Sequence, residues 1–398
     1  MTGIHDDAVA IADDLTRLRR ALHAEPEIGL DLPRTQRKVL DALDGLPLEI
    51  TLGDELTSVT AVLRGGQPGP TVLLRGDMDA LPVTERTGVG YASAIDGAMH
   101  ACGHDLHTAM LAGAAQLLSA RQAELAGNVI FMFQPGEEGP GGARIMVGEG
   151  VLEAAGERPV AAYALHVASG LLPFGLLASR SDTIMAAADT LHVTVHGRGG
   201  HGSQPHHAAD PVPVACEIVL ALQTMVTRQF NVFDPVVLTV GTFHAGTADN
   251  VIPDDAHFVA TVRTFSEAAR AAVQQAGPRL ARDIATAHGL TATAEFVDGY
   301  PVTVNNNAEL AFAEQTVADV LGPGRYVTAP DPLTGSEDFS YVLNQVPGAF
   351  LMLGACPPDA DPFTAAFNHS AEAVFDDAIL PDGTALYAEL ALRRLAQH

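Results

Sequence analysis

Between residues 59 and 166, short apolar runs alternate with segments of helical periodicity. The predicted strands are 59–63, 71–75, 128–133 and 161–166, and the predicted helices are 107–120 and 142–149. Strands that alternate with helices in this way indicate a doubly wound α/β sheet. We therefore predict an α/β fold in which this part of the chain forms a doubly wound mixed sheet.

Near residue 187 the pattern changes. Residues 190–196 alternate apolar and polar positions, and they begin a β-α-β-β-α-β series that ends with a strand near 291–297. This order is that of a ferredoxin-like α+β sandwich. The predicted domains are a metal-binding catalytic domain at 1–186 and 301–398 and an inserted domain at 187–300. Because the chain crosses between them twice, we expect the insert to act as a hinged lid and as a dimerisation domain.

The charge balance excludes several classes of partner. The chain has 22 basic and 48 acidic residues, a net charge of −26, whereas nucleic acids and anionic membranes require a basic surface. Its 3 cysteines are too few for a disulfide framework, and its apolar stretches fall short of the ~20 residues of a membrane span. The acidic N-terminus shows no secretory signal. We expect a cytoplasmic protein that acts on a small molecule.

One segment concentrates side chains that bind metals. The run Met99–His107 contains one of the 3 cysteines together with His100, His104 and His107. Thiolate and imidazole are the ligands that suit Zn²⁺ and similar cations. A single glycine separates Cys102 from His104, and we expect an extended loop to aim both side chains at one point.

Polar residues also follow three of the predicted strands. Asp77 and Asp79 follow the second strand, Glu137 and Glu138 follow the third, and His166 ends the fourth. In doubly wound sheets, reactive groups lie at the carboxyl ends of the strands. Three strands are therefore expected to deliver candidate ligands to one edge of the sheet.

A two-metal hydrolytic site needs about three ligands for each ion, one of them shared, and a base. The candidate ligands are Cys102, His104, Glu138, His166 and His369. Cys102 can bridge two ions, and Glu137 remains as the general base for a water nucleophile. Taken singly, these residues have ordinary structural explanations: a buried cysteine, a core histidine or a solvated acidic turn. His369 has no supporting residues near it in the sequence.

Beyond these residues, an ordered set of motifs over residues 15–395 resembles the dinuclear metallohydrolase family of aminoacylases and carboxypeptidases. The similar branch contains auxin-conjugate amidohydrolases, hippurate hydrolases and N-acyl-L-amino acid amidohydrolases. Each motif is weak alone, whereas the ordered set is specific. The motifs are His23-x-x-Pro26-Glu27, Arg75-Gly76-Asp77-Met78-Asp79-Ala80-Leu81-Pro82, the run from His100 to Asp105, the run from Gln134 to Gly139, Leu165-His166-Val167, Gly199-Gly200-His201-Gly202, Asn250-Val251-Ile252-Pro253, Gly335-Ser336-Glu337-Asp338-Phe339 and Asn368-His369-Ser370.

The resemblance implies how the ligands are shared. Glu138 and His369 would complete one metal site, and His104 and His166 the other, with Cys102 between them. Glu137 would take a proton from water and hand it to the leaving amine. Asp79 would orient a ligand imidazole.

The resemblance also implies roles in the inserted domain. His201 would reach the active site of a neighbouring subunit and stabilise an oxyanion. Asn250 and Arg263 would hold the backbone and the α-carboxylate of the substrate. From the residues alone, His201 would be a surface histidine in a glycine-rich loop and Arg263 a solvated strand end.

The sequence thus predicts a metal-dependent amidohydrolase that cleaves N-acyl-L-amino acids and forms a homodimer or higher homo-oligomer. Each chain is expected to bind two divalent ions, Zn²⁺ or Mn²⁺, with Co²⁺ or Ni²⁺ as alternatives. One competing hypothesis is a dipeptidase or carboxypeptidase on the same dinuclear site, although a free α-amine would call for an extra acidic group. The other is a metal carrier without catalysis, which would have no use for Glu137 as a base.

Overall fold

The computed structural model describes residues 3–397. The helices are α1 (Ile4–Ala10), α2 (Ala12–Ala24), α3 (Pro33–Leu43), α4 (His104–Ser119), α5 (Gly142–Gly148), α6 (Pro211–Gln229), α7 (Glu267–Ala287), α8 (Asn307–Leu321), α9 (Ser340–Leu343) and α10 (Leu380–Leu395). The strands are β1 (Leu48–Leu52), β2 (Val59–Arg64), β3 (Gln67–Asp77), β4 (Ala126–Gln134), β5 (Ala161–Ala168), β6 (Leu177–Ser179), β7 (Asp182–Met185), β8 (Ala187–His196), β9 (Gly200–His201), β10 (Val236–Ala245), β11 (Val251–Ile252), β12 (Asp255–Thr264), β13 (Thr291–Tyr300), β14 (Thr303–Asn305), β15 (Tyr326–Thr328) and β16 (Gly348–Gly354).

The chain forms two compact units. The first comprises Met1–Ile184, Val304–Asp331 and Asp338–His398, and the second comprises Met185–Thr303 and Pro332–Glu337. The sequence places the domain boundaries at 186/187 and 300/301, whereas the units divide at 184/185 and 303/304. The short segment 332–337 additionally joins the second unit. The action of the insert as a lid stays a prediction.

The first unit is built on an eight-stranded sheet in the order β1-β2-β4-β3-β5-β16-β6-β15. Its centre is parallel, because β3 pairs in parallel with β4 and β5, and β16 pairs in parallel with β5. Antiparallel pairs, such as β2 with β4 and β16 with β6, make the sheet mixed. All residues of β5 are buried, as expected of a central strand covered on both faces. The predicted α/β fold with a mixed sheet is confirmed.

The parallel strands bring their carboxyl ends to one edge. Asp77 at the end of β3 is in register with Gln134 at the end of β4. On the other side of β3, β5 runs in the same direction and carries His166 in register with Met352 of β16. The polar residues that follow β3 and β4 therefore emerge beside His166.

The second unit is an antiparallel sheet in the order β10-β12-β8-β13, with α6 and α7 in the connections. This is the β-α-β-β-α-β arrangement of a ferredoxin-like sandwich. Side-chain caps begin both helices: Asp210 accepts the Val212 N–H at α6, and Ser266 accepts the Ala269 N–H at α7. The burial of β12 alternates, so that one face of the sheet forms the core and the other is more open.

Among residues 3–397, no helix has the combined length and apolar character that spanning a bilayer requires.

Candidate metal centre

A tight turn, rather than the expected extended loop, aims Cys102 and His104. Gly103 adopts a left-handed conformation, with φ of 83°, immediately before α4. A Cβ at this position would lie 2.4 Å from Val167 Cγ2, so glycine is required by both space and backbone conformation. The helix begins at His104, three residues earlier than the sequence predicts. His104 is fully buried and Cys102 is 7% exposed.

Asp79 holds the backbone of the paired glutamates. Its Oδ1 accepts the Glu137 N–H at 2.9 Å, and its Oδ2 accepts the Glu138 N–H at 3.0 Å. Asp79 Oδ1 also lies 3.5 Å from His104 Nδ1. One buried carboxylate therefore fixes the segment after β4 relative to the end of β3, and it faces the imidazole of His104, as the resemblance implies for Asp79.

His166 and His369 approach the Cys102 sulfur from two different segments. His166 donates from Nδ1 to the Val167 carbonyl at 2.9 Å, which leaves Nε2 as the acceptor nitrogen, 3.4 Å from Cys102 Sγ. His369 Nε2 lies 3.3 Å from the same sulfur and 3.2 Å from Glu138 Oε1. His369 has a φ of 72° and lies in a turn closed by the Ser370 N–H to the Phe367 carbonyl. This turn is local support that the sequence did not reveal.

The five candidate ligands thus converge in two groups that share Cys102. One group is Cys102, His104 and His166, and the other is Cys102, Glu138 and His369; in each, the potential ligand atoms lie within 4.8 Å of one another. These are the groups that the resemblance implies.

His104 shows most directly that a cation fits here. Neither of its ring nitrogens makes a hydrogen bond, although both are buried. The surrounding carboxylate oxygens of Asp77 and Glu138 lie 3.6 and 3.8 Å from Nε2. A buried polar group without a partner is costly unless an ion satisfies it. Imidazole, thiolate and carboxylate together suit borderline divalent cations.

The charges of the cluster shift its pKa values in opposite directions. Hydrogen bonds to Cys102 and Glu138 raise the pKa of His369 to about 10. Burial alone would raise the pKa of Glu138, but the hydrogen bond from His369 and the charge of His104 lower it below its ordinary value. Burial and the neighbouring His107 lower the pKa of His166 well below its ordinary value. Glu138 and His166 are therefore unprotonated acceptors near neutral pH, whereas His369 must release a proton when it binds a cation.

His107 is a buried residue whose role the sequence did not predict. Its Nδ1 is 2.5 Å from Asp77 Oδ1, and its Nε2 accepts the Val167 N–H at 2.8 Å. Because Nε2 accepts the Val167 N–H, it carries no proton itself, so the proton of the neutral ring is on Nδ1 and is donated to Asp77. Both nitrogens are occupied, which excludes His107 as a ligand in this arrangement. It ties α4 to the strand end that carries His166.

Asp77 is in turn fixed by a buried arginine. Arg75 donates to Asp77 Oδ2 at 2.6 Å, to Gln134 Oε1 at 2.8 Å and to Asp338 Oδ1 at 3.0 Å. Burial would raise the pKa of Asp77, but Arg75 and the neighbouring histidines hold it well below its ordinary value. Features of the sequence could have pointed to both residues: Asp77 is a carboxylate at the end of a strand, and His107 lies one helical turn after His104.

His201, which was assigned to the oxyanion, lies in the second unit together with the two residues assigned to substrate binding, Asn250 and Arg263. His201 is exposed on the ribbon formed by β9 and β11, and Asn250 immediately precedes β11. Arg263 lies on β12, opposite Val237 of β10 and Ala188 of β8.

Comparison with known proteins identifies the family. Residues 73–393 match the model described as Peptidase family M20/M25/M40. The chain belongs to this family. This M20 chain is 36% identical over 394 residues to thermostable carboxypeptidase 2 of Saccharolobus solfataricus, with 98% of each chain covered. It is 38% identical over 387 residues to IAA-amino acid hydrolase ILR1-like 5 of Arabidopsis thaliana, covering 96% of this chain and 87% of the relative.

A solved structure supports the two-metal centre. The M20 chain resembles the Bacillus subtilis YXEP protein, described as a dinuclear metal-binding peptidase, with a TM-score of 0.83 and 32% identity. The similarity covers 98% of this chain and 99% of that one. The predicted family resemblance is confirmed. The protein is a metal-dependent amidohydrolase that acts on a small molecule and binds two divalent ions.

Proposed function

We propose that this M20 enzyme hydrolyses N-acyl-L-amino acids to a carboxylic acid and a free amino acid, with Glu137 as the general base. The observation that carries the proposal is the position of Glu137. Its backbone is held by the same carboxylate that holds Glu138, and its carboxylate lies within 4.8 Å of potential ligand atoms of His104 and Glu138. The residue is 6% exposed, so that proton transfer would take place largely out of bulk water.

The ions would be held by the ligand groups that share the Cys102 sulfur. When bound, they supply Lewis acidity toward the substrate carbonyl and lower the pKa of a water molecule. Glu137 accepts the proton of the attacking water at its carboxylate and then donates it to the nitrogen of the leaving amine. Asp79 keeps Glu137 in place during both transfers. His107 and Asp77 hold the strand end that presents His166.

Arg263 is proposed to bind the α-carboxylate of the substrate. Its Nη1 donates to Thr261 Oγ1 at 2.7 Å and to the Val262 carbonyl at 3.2 Å, and no carboxylate of residues 3–397 forms an ion pair with it. Burial lowers the pKa of Arg263, and Asp189, which would raise it, is engaged by Arg270. A half-buried guanidinium with donors to spare suits a bidentate carboxylate. Asn250 is proposed to bind the substrate backbone.

His201 is proposed to stabilise the developing oxyanion of the active site of a neighbouring copy. Its Nδ1 accepts the Ser203 N–H at 3.2 Å, which leaves the proton of the neutral ring on Nε2. The exposed ring thus presents an N–H donor, as an oxyanion requires. A homodimer follows from this proposal. Light scattering at the assay concentration measures the oligomeric state. A protein that is monomeric there and still fully active would contradict the proposal.

A carboxypeptidase or dipeptidase activity is the second candidate, because a relative that is 36% identical carries the name carboxypeptidase. The two functions differ in whether the amine of the substrate is acylated or free. The test is a panel of N-acetyl and N-benzoyl amino acids beside the matching dipeptides, with apo protein reloaded in turn with Zn²⁺, Mn²⁺, Co²⁺ and Ni²⁺. Faster hydrolysis of the dipeptides would overturn the proposed substrate class.

A further inference from the structure

Two residues with unusual backbone conformations lie in or near the metal centre: His369 is one of its candidate ligands, and Leu171 follows the strand that carries His166. Among residues 3–397, the non-glycine residues with positive φ are Leu171 at 64°, Asp182 at 61° and His369 at 72°. The Leu172 N–H donates to the Gly170 carbonyl at 2.8 Å, which makes Leu171 the centre of a three-residue γ-turn. A γ-turn with positive φ is rare and strained. Such strain persists only where the surroundings enforce it, and it is concentrated at functional sites.

The surroundings of Leu171 are the loop that leads to His369. The Leu171 N–H donates to the Pro362 carbonyl at 2.6 Å. Ser169 donates from its N–H to Asn368 Oδ1 at 2.9 Å and from its hydroxyl to the Ala366 carbonyl at 2.9 Å. These bonds fasten the turn after β5 to the loop before His369.

Asn368 connects this assembly to the metal centre. Its Nδ2 donates to the Val167 carbonyl at 3.0 Å and to the Cys102 carbonyl at 3.2 Å. Val167 follows His166 directly, and Asn368 precedes His369. The position of Leu171 is thereby fixed relative to two of the candidate ligands.

The side chains presented by these loops are apolar and exposed. Leu171 is 53% exposed, Phe367 is 41% exposed and Phe363 is 74% exposed. We call these three residues the apolar rim. The Phe367 ring lies over Gly170, since a Cβ at that glycine would be 3.6 Å from Phe367 Cδ2. Exposed apolar groups gathered beside a polar centre are typical of a ligand-binding surface.

The topology decides which half of the substrate reaches the rim. Glu137 follows β4, whereas the rim follows β5 and precedes His369, and β3 lies between β4 and β5. Because Glu137 gives its proton to the leaving amine, the amino-acid half lies on the β4 side. The acyl group is bonded to the other side of the same carbonyl carbon, and we infer that it extends toward the carboxyl end of β5.

We propose that the apolar rim binds the acyl group of the substrate, and that the enzyme selects bulky apolar acyl groups over acetyl. This inference rests on the proposed hydrolysis of N-acyl amino acids. Leu171 is its principal specificity-determining residue, because the strained turn keeps that residue exposed shortly after the strand that carries His166.

The test compares N-benzoyl and N-acetyl derivatives of L-alanine and L-phenylalanine with the metal-loaded full chain. Leu171→Asn removes the apolar group but keeps a residue that tolerates positive φ. Phe367→Ala removes the second apolar group. Leu52→Asn is the matched control, since Leu52 is 46% exposed on β1 of the same unit. Thermal melting of each variant verifies folding.

The wild type is expected to prefer the benzoyl substrates. Leu171→Asn and Phe367→Ala should each lower the ratio of benzoyl to acetyl kcat/KM by about tenfold, the usual range for losing a small apolar contact. Leu52→Asn should keep the ratio. Equal use of both acyl groups by the wild type, or an unchanged ratio in both rim variants, would overturn the inference. So would a shift between alanine and phenylalanine derivatives in place of a shift between acyl groups.

The two proposals fail in distinguishable ways. If the wild type hydrolyses none of the N-acyl amino acids, the proposed function fails and the inference falls with it. If hydrolysis occurs but the acyl preference does not depend on the rim, only the inference fails.

Discussion

The two units of the chain place their functional side chains in opposite environments. In the first unit, His104 is 0% exposed, and His166 is 9% exposed at the end of a central strand. In the second unit, His201 and Asn250 are exposed on and beside a two-stranded ribbon. Buried polar groups must find their hydrogen-bond partners within the folded chain itself, so their positions can be inferred from the structure of one chain. Exposed groups acquire a partner only when substrate or another copy of the chain arrives.

The structure of a single chain therefore says more about the buried metal ligands than about the exposed residues proposed to bind substrate. The buried cluster defines its ligand geometry through hydrogen bonds such as those of Asp79 and His107. For the exposed His201, the Ser203 N–H fixes the tautomer of the ring. Variants of the buried cluster should therefore change metal content or chemistry, whereas variants of Asn250 and Arg263 should change substrate recognition.

Removal of the Cys102 thiol should have the largest effect. Because both ligand groups share this sulfur, Cys102→Ala is expected to lose at least one metal equivalent per chain, and most hydrolysis with it. Elemental analysis measures the metal content. Cys216→Ala is the matched control, since that thiol is exposed on α6 of the second unit. Two tightly bound ions in Cys102→Ala would remove Cys102 from the site.

Glu137→Gln should separate chemistry from metal binding. Loss of the base is expected to lower kcat by about 10²–10⁴-fold, while two metal ions are retained. Steady-state kinetics on the metal-loaded variant measures the loss. Glu157→Gln, at an exposed position of the same unit, should behave like the wild type. Turnover near the wild-type rate in Glu137→Gln would assign the base to another group.

Arg263→Ala should alter recognition without changing metal content. Loss of a partly desolvated carboxylate pair costs about 2–5 kcal/mol, or roughly 30- to several-thousand-fold in kcat/KM. The enzyme should prefer an N-acyl amino acid over its carboxamide, and the variant should lose that preference. Arg279→Ala, exposed on α7, serves as the control. Equal kcat/KM of the wild type for the N-acyl amino acid and its carboxamide would show that Arg263 does not bind the substrate carboxylate.

The smallest effect concerns a buried charge network in the first unit. Burial acts to lower the pKa of His23, but the Asp105 carboxylate, 2.7 Å from its Nδ1, and Glu85 raise it to about 9. Since this value is above the ordinary 6.5, the network stabilises the fold fully below pH 6.5 and loses that contribution as pH rises through 9. The shift corresponds to about 3 kcal/mol.

His23→Asn should therefore lower the Tm most at pH 6, and the difference from the wild type should shrink toward pH 10. Thermal melting over this range measures it. His288→Asn, which breaks an exposed pair with Glu217 in the second unit, should change the Tm little at any pH. A Tm difference for His23→Asn that is independent of pH would show that the charge of His23 does not stabilise the fold.

The strands of the first unit were predictable because their signal is local. Continuous apolar runs such as β4 and β5 are long enough to be recognised without their neighbours. The short strands β6 and β15 were missed, because three residues paired at the end of a sheet carry no periodicity of their own. The prediction of an extended loop at Cys102 was wrong, because Gly103 adopts a left-handed turn conformation that other residues rarely adopt.

The sequence by itself determined which donor atoms are available: a thiol, several imidazoles and paired carboxylates at the ends of parallel strands. The sequence predicted His104 and not His107 as a ligand, but it gave no physical reason for that choice. His104 and His107 lie one helical turn apart and are both buried, yet only His107 has its nitrogens engaged, by Asp77 and by the Val167 N–H. These partners lie 30 and 60 residues away in the chain. A nitrogen whose lone pair accepts an N–H cannot bind a metal ion, and only the packing of α4 against β3 and β5 decides which lone pairs are taken.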